Sequence, residues 1–247
     1  MRLQVTTLGD SGPTVILVHG SLNDGSTAFT AQAPLAQRWR LVIPNRRGYG
    51  NSPATDKVDV EVDAADIVEL LGRGGGGHLV GTSMGGIVVA HAAARAPALV
   101  HSLTLIEPPA FVNAIDIAPV AETAEAMKRH WQNAAHTTPA EFIPGFLQAL
   151  GITIALPSPM PPSIITAARN LMTEAPWDCS IPAAELASAP FPKLIISGTS
   201  CPAFEAICDR IAGQLGAVRR VFDGAGHAVQ RLGAPFNELL EAFMSGR

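Results

Sequence analysis

The 247-residue sequence predicts an α/β protein, a mostly parallel central sheet flanked by helices with a helical segment inserted over 111–190. Three observations predict it. Short apolar stretches alternate along the chain with segments of helical spacing. The stretches are too continuously apolar to keep one face in water, as buried parallel strands require. The alternation stops after residue 110 and resumes near 191, with proline-separated helix-like segments and no convincing strand between.

In chain order, MRLQVTTLGDSG alternates and then turns, and TVILV (14–18) and LVI (41–43) follow as buried strands. DVEVDAADIVELL (59–71) has helical spacing, and GGGG (74–77) links it to HLV (78–80), the next strand. The four glycines lack the lysine and hydroxyl residue of a phosphate-binding loop, so they read as a connection. MGGIVVAHAAARA (84–96) is a helix and LTLI (103–106) a strand. AETAEAMKRHWQNAA, PAEFIPGFLQAL and PPSIITAARNLM then occupy an insertion of about 80 residues, long for an ordinary connection and expected to form a cap subdomain. LII (194–196), FEAICDRIAGQL (204–215) and VRRVF (218–222) return to the alternating pattern. The expected organisation is a core of 1–110 and 191–247 with a helical cap over 111–190.

Composition excludes several functions. A formal charge of −4 and no Lys/Arg-rich block argue against a nucleic-acid partner. No segment has the apolar length of a membrane span, and the first residues lack the apolar run of a signal peptide. Three cysteines, Cys179, Cys201 and Cys208, suit a reducing compartment, so a cytoplasmic location is expected. No His/Asp/Glu group has metal-ligand spacing, and neither metal nor cofactor is expected. Monomer and homodimer remain open.

HLVGTSMGG (78–86) carries the most specific local signal. A serine on a sharp strand-to-helix turn projects its hydroxyl above the sheet, with glycines clearing space on either side. Ser83 is therefore the candidate nucleophile. A hydroxyl needs a base at neutral pH, and His227, in GAGHAVQ after the last strand, is best placed of the seven histidines. His19, in VHG at a strand end, is expected to hold the following turn. Backbone N–H groups of Met84, at the helix start, and of Ser21 would stabilise an oxyanion, with Leu22 as the alternative donor.

VILVHGS, PNRRGYGNS, GTSMGG and GAGH, in this order, resemble the α/β-hydrolase superfamily over practically the whole chain. Within it the sequence is similar to small cap-bearing esterases and to cofactor-free haloperoxidases or perhydrolases. The resemblance implies the roles just given for Ser83, His227, Ser21 and Met84, and a cap between the family's sixth and seventh core strands. One departure matters: where the commonest pattern carries the triad acid, GTSCPAF has Cys201, a thiol that stays mostly protonated at pH 7. Some members, including haloalkane dehalogenases and certain lipases, carry the acid after the sixth strand, where LTLIEPPAF places Glu107. Glu107 is the expected acid and Asp209 its alternative, while Asp223 reads as part of an Asp-Gly turn.

The expected reaction is hydrolysis of a small-molecule carboxylic ester through an acyl-enzyme. A lactonase, thioesterase, carbon–carbon bond hydrolase or perhydrolase would use the same triad, and a non-catalytic ligand-binding protein of this fold is the rival from another class. Arg46 and Arg47 are expected to brace loops. Trp131, Phe146, Phe142 and Phe111 are candidate pocket residues.

Overall fold

Every residue of strands β2 (Thr14–Val18) and β4 (Gly77–Thr82) is buried, as strands covered on both faces must be. The computed structural model describes residues 2–152 and 154–246. Around these two strands run β1 (Val5–Leu8), β3 (Arg40–Pro44), β5 (Val100–Ile106), β6 (Lys193–Ser197) and β7 (Val218–Val221). The seven strands are ordered β1-β3-β2-β4-β5-β6-β7; β1 is antiparallel to β3 and the other pairings are parallel. Edge strand β1 is the stretch that the sequence showed only as an alternation.

Alternate side chains divide between two apolar layers, as the two-residue period of a strand dictates. Ile16, Val18, Leu79, Leu105 and Ile195 pack with α2 (Val60–Gly74), α3 (Met84–Arg95) and α8 (Pro202–Leu215). Val15, Leu17, Val80, Ile106 and Ile196 pack on the other face with Phe29, Trp39, Phe236 and Leu240. The last two belong to α9 (Ala234–Met244), a helix the sequence reading did not single out. A short helix, α1 (Gly25–Ala28), follows β2. Helix α2 starts where the Asp59 side chain accepts from the N–H groups of Glu61 and Val62, and it ends at Gly75 with φ 70°. The glycine run is therefore a left-handed helix stop.

Between β5 and β6 lie α4 (Ala118–Trp131), α5 (Pro139–Ala149), α6 (Pro162–Leu171) and α7 (Ala183–Ser188), with no strand among the described residues. Phe111, Ala114, Val120, Ala124 and Met127 are wholly buried and continue the apolar layer of α3 and α8. The insertion is thus packed as part of the core along one side. Its Ile143, Phe146, Leu147 and Ile164 share a cavity wall with Ser83, which follows the carboxyl end of β4, the edge at which open α/β sheets place ligands.

Candidate active site

Ser83 joins β4 to α3 with φ 51° and ψ −128°. Its N–H donates to Ile106 O (2.8 Å), and its carbonyl accepts from Gly86 N (2.7 Å). Backbone pairing therefore fixes the turn, and the hydroxyl makes no helix-capping bond. A Cβ on Gly81 would run into the Gly85 carbonyl, and one on Gly85 into the carbonyls of Val18 and His19. Both positions need glycine for close approach. A Cβ on Gly20 would lie 2.9 Å from that of Ser83, so the loop after β2 also passes tightly beside the serine.

Glu107 ends β5 in the left-handed region, φ 43°, and is wholly buried. A carboxylate in that environment needs its oxygens paired. Oε1 accepts from Gly198 N at 2.8 Å, and Oε2 lies 2.5 Å from His227 Nδ1. The β5 end thus spends its carboxylate on an imidazole carried by the loop after β7. Phe204, from α8, packs on that imidazole with ring centroids 4.5 Å apart.

The loop after β2 is held by a buried polar cluster. Ser21 Oγ donates to Glu174 Oε2 at 2.5 Å, and the Tyr49 hydroxyl donates to Ser21 O at 2.9 Å. Arg46 donates to Asp63 Oδ2, Gly20 O, the Tyr49 hydroxyl and Glu174 Oε1 at 3.1–3.3 Å. Burial, reinforced by the Arg46 charge, lowers the His19 pKa to about 3. The neutral ring donates from Nδ1 to Gly20 O (2.7 Å) and accepts Arg46 N–H at Nε2 (3.0 Å), so it holds the turn as expected. Burial raises the carboxyl pKa of both Glu174 and Asp63, outweighing Arg46. Arg47 pairs with Asp66, so the two arginines brace loops.

Two cavities meet at Ser83. One of about 470 Å³ is lined by Ser83, His227, Ser21 and Leu22 together with apolar side chains of the insertion. The other, about 20 Å³, is lined by Ser83, Ser21 and Met84, and by Phe111, Met127, Phe146, Leu171 and Phe204 among others. Met84 is the first residue of α3, where N–H groups have no intrahelical acceptor.

The structure brings Ser83, His227, Glu107, Ser21, Met84 and Leu22 to one place. Phe146 lines both cavities and Phe111 the smaller one. Of the other candidate pocket residues, Phe142 and Trp131 line neither cavity. Their rings pack 4.8 Å apart, with His130 against Phe142 and Trp177 against Trp131, because apolar aromatics are needed to hold α4 to α5 and to the turn at Pro176–Asp178. The alternative acid, Asp209, is largely exposed on α8 and paired with Arg219, while His227 Nδ1 faces Glu107. Cys201 is packed at the start of α8, and burial raises its pKa. Sequence reasoning missed Glu174 and Phe204. Neither sits in a local motif that marks it; Glu174 lies between Thr173 and Ala175 in LMTEAPW.

A seven-stranded sheet of this order, with a serine on a strained elbow and a paired histidine and carboxylate beside it, defines a class of hydrolase-like fold. An alpha/beta hydrolase family profile matches residues 15–240, and the chain belongs to that family. It is similar to a pimeloyl-[acyl-carrier protein] methyl ester esterase of Aeromonas hydrophila, 31% identical over 115 residues that make up 45% of this chain and 44% of that protein. It is also similar to Lipase 3 of a Moraxella species, 29% identical over 109 residues, 42% and 34% of the two chains. The chain thus spans less than half the length of these curated relatives. MenH from S. aureus matches with a TM-score of 0.76 at 14% identity, covering 99% of this chain and 98% of that one, a likeness of fold.

Proposed function

We propose that the chain hydrolyses a carboxylic ester of a small molecule through an acyl-enzyme, with Ser83 as nucleophile, His227 as general base and Glu107 as the triad acid. The observation that carries this is the wholly buried Glu107 carboxylate 2.5 Å from Nδ1 of His227, a residue that lines one cavity together with Ser83. Glu107 selects the tautomer that leaves Nε2 free to take the Ser83 proton, and it favours the imidazolium that forms. Ser83 Oγ bonds to the ester carbon while N–H groups of Met84 and Ser21 hold the oxyanion. The bond to the alcohol oxygen then breaks, and that oxygen takes its proton from His227. Water, deprotonated by the same histidine, releases the acid and restores Ser83.

The helical insertion over 111–190 acts as the cap that shapes the substrate cavity. The printed activities of the relatives, a methyl ester esterase and a lipase, support ester chemistry. The non-catalytic rival drew its support from Cys201 at the usual acid position, and a carboxylate supplied by Glu107 removes that support. Labelling with a fluorophosphonate followed by peptide mapping tests the reading. Modification of Ser83, abolished by prior heat unfolding, is expected; a label on another residue, or no label on the folded protein, would overturn it.

A further inference from the structure

We infer that the site takes esters of a small acyl group, formyl or acetyl, with a bulky apolar alcohol. This rests on the ester-hydrolase reading above and names the substrate class of the same site.

The two cavities share Ser83, Ser21, Phe146 and Leu150 in their walls and differ in one functional respect. His227 lines the large one and is absent from the wall of the small one. Phe204 lines the small chamber and stacks against the His227 ring, so its side chain separates the imidazole from that chamber. Collapse of the tetrahedral intermediate requires the departing alcohol oxygen to receive a proton from His227. The alcohol therefore leaves into the cavity that His227 lines. The substituent on the acyl carbon then points to the other side of Ser83, into the chamber beside Met84.

Size sets what each side accepts. The acyl chamber is about 20 Å³, room for little more than one water-sized group, which an acetyl methyl satisfies and a longer chain does not. Phe111, Met127 and Leu171 in its wall are wholly buried and belong to the close-packed interior, which yields poorly to added methylenes. The alcohol side, about 470 Å³, falls within the range of small-molecule pockets. Its wall includes Leu22, Ile143, Leu147, Ile152, Leu156 and Ile164, suited to an aliphatic or aromatic alcohol. Phe146 and Leu150 border both cavities.

The test is a pair of ester series with the wild-type protein. Along p-nitrophenyl acetate, butyrate and octanoate, kcat/KM should fall by about tenfold or more at the first step, since one unaccommodated methylene costs on the order of 10–200-fold. Along methyl, butyl and octyl acetate it should rise. Met127→Ala should raise the butyrate-to-acetate ratio at least about tenfold; should that variant not fold, Phe146→Ala tests the same wall. Butyrate or octanoate turned over as well as acetate, or methyl acetate preferred to octyl acetate, would overturn the inference and leave ester hydrolysis standing. No turnover of any ester, with Ser83 refractory to fluorophosphonate, would overturn both.

Discussion

Replacing Ser83 by glycine should stabilise the fold while abolishing turnover. At φ 51° and ψ −128°, Ser83 holds a conformation that clashes with a Cβ and that glycine adopts freely. A residue held in so sparsely populated a region stores about 1–3 kcal/mol. Ser83→Gly releases that strain. Against this stands about 0.4–1 kcal/mol of extra backbone entropy in the unfolded chain. Ser83→Ala keeps both the Cβ and the strain and loses only the hydroxyl, so it isolates the backbone effect. S83G should therefore exceed S83A in stability by about 1 kcal/mol, the strain released less the entropy cost. Urea unfolding of both variants at equal m-value measures the difference, and p-nitrophenyl acetate turnover should be absent from each. Unfolding of S83G at a lower urea concentration than S83A would show that the elbow is unstrained and that its geometry does not depend on the serine being forced there.

Glu174→Gln should change how stability depends on pH. Burial raises the Glu174 carboxyl above its ordinary value of 4.5, so the folded chain holds that proton more tightly than the unfolded one. The resulting stability is fully present below 4.5 and is lost as pH rises through the higher folded value. Wild-type stability relative to E174Q should thus fall as pH is raised from 4 to 8 in urea titrations; a relative gain would mean that attraction to Arg46 outweighs burial. Cys201→Ala should leave ester turnover within about threefold, because the thiol is packed rather than poised, and should cost about 1 kcal/mol for the lost buried atom. A hundredfold fall in turnover with unfolding unchanged would give the thiol a part in the chemistry.

The core was legible in the sequence because its signals are local. TVILV, HLV and LTLI are apolar over their whole length, as strands buried on both faces must be, and GTSMGG sits between a strand and a helix, the context its geometry needs. The candidate roles of Ser83 and His227 rest on these local contexts, and that of Glu107 on a resemblance that gives a reason for an otherwise costly carboxylate. Strand β1 and helix α9 were harder. An edge strand half open to solvent, with the burial pattern of Val5–Leu8, has weaker apolar content, and α9 follows a 3-10 turn at Val229–Leu232 with no side-chain cap to mark its start. The aromatic residues of the insertion could not be sorted from sequence, since Phe142 and Phe146 differ by one helical turn and only packing decides which faces the cavity. Glu174 lay beyond reach for the same reason: its partners Ser21 and Arg46 are more than a hundred residues away, and only the folded chain brings them together.

The most direct test of the account is kcat for Glu107→Gln, measured beside Asp209→Asn with thermal unfolding of both. The amide keeps the shape of the side chain and the packing at the end of β5, but it removes the charge facing His227 Nδ1. The corresponding substitution in serine proteases lowers turnover by about 10⁴. A folded E107Q with kcat reduced by about 10³–10⁴, beside a D209N that works as the wild type does, is the predicted result. An E107Q that turns over ester at the wild-type rate, beside a folded and inactive D209N, would contradict the assignment and leave Glu107 as the buried end of a strand.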